Sequence, residues 1–146
     1  MPDSEALPAT VPVLIVGGGP VGLALACELG FRGIDCVLVE RRDGSIGHPK
    51  MNQVGVRTME FCRRWGIAAT VREQSIDEDF PRNYRYVTAV GGYELARYEF
   101  PSRRDTPLEH SPEALQRCSQ IWFDPILQKH AASYASVQLR YRTALE

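Results

Sequence analysis

"VLIVGGGPVG", residues Val13 to Gly22, decides the fold of this chain. The run Val11–Val16 is short, apolar and rich in β-branched residues, and reads as a strand buried on both faces. Its glycines fit G-x-G-x-x-G at Gly17, Gly19 and Gly22, with Pro20 between them. "VGLALACELGFRG" continues as a helix that ends near Gly30–Gly33, where glycine suits a C-terminal cap. "IDCVLVE" (Ile34–Glu40) reads as a second buried strand. Strand, helix and strand in about 30 residues make a βαβ unit, which requires a parallel pair and a right-handed crossover.

Each glycine of such a turn has its own task. Gly17 permits the tight turn, Gly19 lets backbone approach a diphosphate, and Gly22 lets helix and strand pack closely. The helix N-terminus adds unpaired N–H groups and a partial positive charge. Glu40 ends the second strand, where a carboxylate accepts hydrogen bonds from adenosine ribose hydroxyls. The same charge repels a 2′-phosphate and argues against NADP in this site. FAD and NAD both carry an unphosphorylated adenosine ribose, so the first βαβ unit leaves the two open.

Downstream, "RRDGSIGHPKMNQ" is a polar loop and "VGVRTMEFCRRWGI" has helical spacing, with Val56, Met59, Phe61 and Trp65 on one broad apolar face. Met59 and Trp65 read as core. "RNYRYVTAVGGYELARYEF" predicts a β-hairpin turning at Gly91-Gly92. Tyr84, Tyr86 and Tyr93 there either pack the hairpin or face a substrate. A helix is expected within Gln120–Tyr134. At Pro125, either Asp124 caps a helix that begins at the proline, or an earlier helix runs on and bends. "VQLRY" (Val137–Tyr141) reads as a short strand. The order β-α-β-α-ββ-α-β predicts an α/β fold: a Rossmann-like βαβ with a parallel sheet plus a hairpin.

Composition sets the remaining bounds. The chain has 146 residues, 44% of them hydrophobic, and a formal net charge of −1. That size suits one domain over residues 11–146, preceded by a flexible tail at 1–10. No basic run is interleaved with aromatics, so nothing points to nucleic acid. The apolar stretch Val11–Leu29 is broken by glycines and Glu28, which argues against a bilayer span. Cys27, Cys36, Cys62 and Cys118 lack zinc-site spacing and suit a reducing, cytoplasmic compartment. No Ser-His-Asp or Cys-His set is evident, and His48, His110 and His130 are isolated.

Four segments carry a resemblance: "VLIVGGGPVGLALACELGFRGIDCVLVERR", "HPKMNQVGVRTMEFCRRWGI", "HSPEALQRCSQIWFDPILQKHA" and "VQLRYRT". Together they resemble the single-component flavoprotein aromatic hydroxylases, the group of para-hydroxybenzoate and phenol hydroxylases. The Glu-Arg ending and the Arg-Thr-Met-Glu helix are far more specific than the glycines. The resemblance implies FAD, with Gly17, Gly19, Pro20 and Gly22 at its diphosphate, Glu40 at the adenosine ribose and Arg41 beside the adenine end. Lys50 stands where the family usually has arginine near diphosphate and flavin, so a point charge replaces a bidentate fork. Arg57 matches the arginine of Arg-Thr-Met-Glu, and Gln120 the glutamine that contacts the ribityl chain.

The resemblance further implies that NAD(P)H reduces the flavin, that the reduced flavin activates O₂, and that one oxygen atom passes to a phenolic substrate. The hairpin at about 82–100 would belong to a substrate-side sheet. The family's later Asp-Gly and Gly-Asp segments are not among these residues, so the expectation is an N-terminal portion, inactive alone, with the rest of a longer chain missing. An NAD-binding dehydrogenase domain would explain the glycines and Glu40 but not the Arg-Thr-Met-Glu helix or Gln120. A non-catalytic nucleotide-binding or interaction module is the other alternative.

Overall fold

The computed structural model describes residues 7–105 and 109–146. Residues 1–6 of the expected tail lie outside them, and residues 7–10 are exposed and belong to no helix or strand. The described residues fall into two compact units, one from residues 7–51 with Ser119–Glu146 and one from Asn52–Cys118. Among the described residues no helix is long and apolar enough to cross a membrane.

The first unit is the βαβ unit extended by one helix and one strand. Its elements are β1 (Val13–Val16), α1 (Pro20–Phe31), β2 (Cys36–Glu40), α4 (Gln120–Ala131) and β5 (Val137–Tyr141). The strands form one parallel sheet in the order β1-β2-β5, with Val13 opposite Cys36 and Glu40 opposite Tyr141. Central β2 is the most buried strand of the sheet: Cys36, Val37, Leu38 and Val39 are all covered. α1 buries Leu23, Ala26 and Cys27, and the Cys27 thiol lies 3.5 Å from the Leu127 carbonyl oxygen of α4. Gly33, at φ +68°, ends α1 in a left-handed turn that suits glycine.

One expectation fails here, and one open choice is resolved. β1 is not buried on both faces: Ile15 is covered, but Leu14 and Val16 are 46% and 58% exposed. As an edge strand it is packed from one side only. Of the two readings left open at Pro125, the structure takes the earlier helix that runs on: α4 begins at Gln120 after Ser119 and contains Pro125. Proline lacks an N–H, so α4 runs through Pro125 without that hydrogen bond, and it buries Phe123, Asp124 and Leu127.

The second unit holds α2 (Val56–Arg64), α3 (Ala68–Glu73) and the antiparallel hairpin of β3 (Tyr84–Val87) and β4 (Glu94–Tyr98). Its core is Val54, Met59, Cys62, Trp65, Val71 and Cys118. Met59 and Trp65 are core as read, but Val56 is exposed, so the apolar face is narrower than expected. Helix α3 went unread because a single turn and a half shows little periodicity. Arg72 on α3 holds Glu113, only 3% exposed, through two contacts of 2.5 Å. The hairpin forms with Tyr84 opposite Tyr98 and a bulge after Tyr86, and Tyr93 lies just before β4.

Candidate functional site

The turn between β1 and α1 departs from ordinary backbone where the glycines require it. Gly17 has φ +109°, a region that favours glycine. Its N–H donates to the Val39 carbonyl at 2.8 Å, which ties the turn to β2. A Cβ on Gly22 would run into the Gly17 carbonyl oxygen, so strand and helix meet this closely only without a side chain. Gly19, the N-cap of α1, is different. A Cβ there would meet nothing within 4 Å, and the residue lines a cavity of about 480 Å³.

That cavity lies entirely in the first unit, at the C-terminal ends of β1 and β2, where parallel α/β sheets place ligands. Gly18 and Gly19 form one wall, and Glu40, Arg41 and Arg42 another. The loop Gly44–His48, Lys50 and Gln120 close the remainder. Pro20 opens α1 and has no N–H, so Val21 and Gly22 supply the first helix N–H groups, which lack intrahelical partners. A lining that combines cations, N–H groups without intrahelical partners and one carboxylate matches a diphosphate and a sugar.

Glu40 is the most constrained side chain of the site. Its Oε2 accepts the Gly18 N–H at 2.7 Å and its Oε1 accepts the Arg42 N–H at 2.8 Å. These bonds, Gly18 first and Arg42 second, hold its carboxyl below the usual glutamate range; Arg41 and Arg42 add to the effect and partial burial opposes it. The ionised carboxylate has about four acceptor positions, so two bonds leave room for hydroxyl donors. Gly18 is the partner that the glycine pattern does not disclose, since it occupies a variable position. A Cβ on Gly18 would come within 2.9 Å of the Glu40 Cβ.

Gln120 joins the site from the first turn of α4. Its Oε1 accepts the Lys50 N–H at 2.9 Å, its backbone N–H donates to the Met51 carbonyl at 2.9 Å, and its Nε2 donates to Asp124 Oδ2 at 2.9 Å. The structure therefore brings Gly19, Glu40, Arg41, Lys50 and Gln120 to one cavity. Arg57 belongs to the second unit. There it pairs with Glu60 at 2.6 Å and its guanidinium lies 4.8 Å from the centre of the Phe61 ring. Arg42, Gly18 and Asp124 were missed by sequence reasoning. Only Asp124 had a readable signal, its i+4 spacing from Gln120.

The fold and this cavity define the class, a nucleotide-binding α/β domain with its site at the first βαβ turn. The family is then shown directly: the FAD binding domain family matches residues 10–146, and the chain belongs to it. The chain is 35% identical over 144 residues to a 4-methyl-5-nitrocatechol 5-monooxygenase of a Burkholderia species, covering 97% of this chain and 25% of that protein. It is 30% identical to a tetracenomycin B2 monooxygenase-dioxygenase of Streptomyces olivaceus, covering 93% of this chain and 28% of that one.

Solved structures agree. The substrate-free form of the rebeccamycin biosynthetic enzyme RebC matches 97% of this chain and 27% of its own, with 38% identity and a TM-score of 0.84. The flavin-dependent monooxygenase PieE, solved with FAD and substrate, matches 93% of this chain and 24% of its own, with 32% identity and a TM-score of 0.82. The chain thus spans about a quarter of the length of these relatives. The resemblance to flavoprotein aromatic hydroxylases is borne out, over their N-terminal part.

Proposed function

We propose that this chain is the front, FAD-binding portion of a monooxygenase that hydroxylates a phenolic or other aromatic ring with NAD(P)H and O₂. The carrying observation is the cavity at the first βαβ turn, where a Gly19 open to solvent space faces a Glu40 locked by two backbone N–H groups. A flavin bound there would supply the redox chemistry, taking electrons from NAD(P)H and passing them to O₂. The chain's own residues bind and orient. Gly17 and Gly22 shape the turn, while Gly19 and the helix N–H groups after Pro20 receive the diphosphate. Glu40 accepts the ribose hydroxyls, Arg41 flanks the adenine end, Lys50 offers a single charge to the diphosphate, and Gln120 faces the ribityl chain. Arg57 is kept as a site residue on the resemblance alone. The hairpin is assigned to the substrate side.

A reducing, cytoplasmic setting follows the same reading, supported by four cysteines that are buried and outside any disulfide. The cofactor choice is tested by thermal shift with FAD or NAD in large excess. In the reading frame extended to the length of the relatives, FAD is expected to raise the melting temperature and NAD to leave it unchanged; stabilisation by NAD alone overturns the flavin assignment. The substrate side needs the reading frame extended to the length of the relatives, with phenol-dependent oxygen uptake and one atom of labelled O₂ in the product expected. The 146-residue chain alone is expected to hold FAD weakly or not at all and not to hydroxylate. Flavin retained through gel filtration, with NADPH-driven oxygen uptake on phenols, would contradict that.

A further inference from the structure

Asp124 lies within α4, is fully buried, and receives one hydrogen bond, from Gln120 Nε2 at 2.9 Å. Its other oxygen, Oδ1, has no hydrogen-bond partner among the described residues. Helix packing does not ask for an acid here. A buried carboxylate costs free energy unless it is fully paired, and an apolar residue of similar size would serve the helix better. What an acid does supply is direction. A carboxylate only accepts, so it turns the Gln120 NH₂ group towards itself and leaves the Gln120 carbonyl oxygen facing the opposite way. That oxygen is the one that accepts the Lys50 N–H.

We propose that Asp124 is a positioning residue for the cofactor cavity: it fixes the Gln120 amide, and Gln120 in turn fixes the wall at Lys50 and Met51. Two successive backbone groups of that wall are held by one residue, the Lys50 N–H by the Gln120 side chain and the Met51 carbonyl by the Gln120 backbone N–H. Lys50 lines the cavity, and its backbone is set by this clasp. Burial pushes the Asp124 carboxyl upward, and the bond from Gln120 partly offsets this. The link to the cofactor rests on the flavin reading of the cavity; the clasp itself does not.

Amide hydrogen exchange of the whole chain, followed by NMR, tests the clasp without any cofactor. In the unsubstituted chain the Gln120 side-chain NH₂ protons should exchange at least about tenfold more slowly than those of exposed Gln138. Equal rates overturn the proposal whatever the variants do. Asp124→Leu should speed exchange of the Lys50 N–H about tenfold while leaving Val37 to Val39 of β2 unchanged, and Asp124→Asn, which still accepts, should restore protection to within about twofold. Unchanged Lys50 exchange in Asp124→Leu also overturns it. An FAD titration of the same substitutions, made in the reading frame extended to the length of the relatives, separates the two readings. If the unsubstituted chain binds and Asp124→Leu binds at least about fivefold more weakly, with Asp124→Asn rescued, both stand. If Lys50 loses protection but FAD affinity is unaltered, the positioning role is refuted. If the extended chain never binds FAD while the exchange pattern holds, the clasp stands and the flavin reading of the cavity is refuted.

Discussion

Two glycines of one turn have opposite constraints at the residue scale, and a single-methyl substitution separates them. Gly22→Ala places a Cβ against the Gly17 carbonyl. It should destabilise the chain by about 1–3 kcal/mol, as overpacking of a rigid contact does, measured by urea denaturation. Gly19→Ala adds its methyl in open space at φ −79°. It should leave stability within about 0.5 kcal/mol and act only on nucleotide binding, read by titration with FAD. Glu40 adds a pH signature. Its folded pKa lies below its unfolded one, so its contribution to stability is present above the ordinary glutamate range and is lost as pH falls through the folded value. Glu40→Gln should remove that part of the acid-side slope, with thermal melts of both proteins converging as pH drops. Unaltered pH dependence would show that the Gly18 and Arg42 bonds do not form in solution.

Among the elements, the contrast is between β1 and β2. Both read as apolar runs, and composition alone could not tell them apart, because a run that is apolar on both faces records suitability for cover and not its presence. β2 is central and Leu38 is fully buried, whereas Leu14 on β1 is 46% exposed. Leu38→Ala should cost about 2–5 kcal/mol. Leu14→Ser should cost less than about 1 kcal/mol, with the two compared in the same denaturant series. Helix α4 was legible in place, but Pro125 left two onsets open. Gln120 precedes the proline as the first helical residue and reaches back to Met51. Tertiary contacts outweighed the local rule. The glycine turn and Glu40 were legible because their spacing is set by backbone geometry; Gly18 and Arg42 were not, since they act through main-chain N–H groups that any residue type carries.

For the whole molecule, the hairpin of the second unit presents two unlike faces. On one, Tyr86 and Tyr98 meet edge to face at 6.0 Å and Tyr84 meets Phe100 at 5.6 Å, all four exposed. On the other, Glu94 pairs with Arg85 at 2.7 Å and with Arg97 at 2.8 Å, which lowers its carboxyl to about 2. The charged face is content in water, while the aromatic face is of the kind that mediates association when contiguous and exposed. Two-stranded edges add unpaired N–H and C=O groups on the same element. The chain should therefore self-associate through the aromatic face, and sedimentation velocity over a dilution series should show a concentration-dependent shift to larger species. Tyr86→Lys, which places a charge among the rings, should reduce that shift by at least about twofold, whereas Arg85→Lys on the opposite face should leave it unchanged. A chain that sediments as a monomer at every concentration, or one in which both substitutions act alike, rules out the aromatic face as the sticky surface.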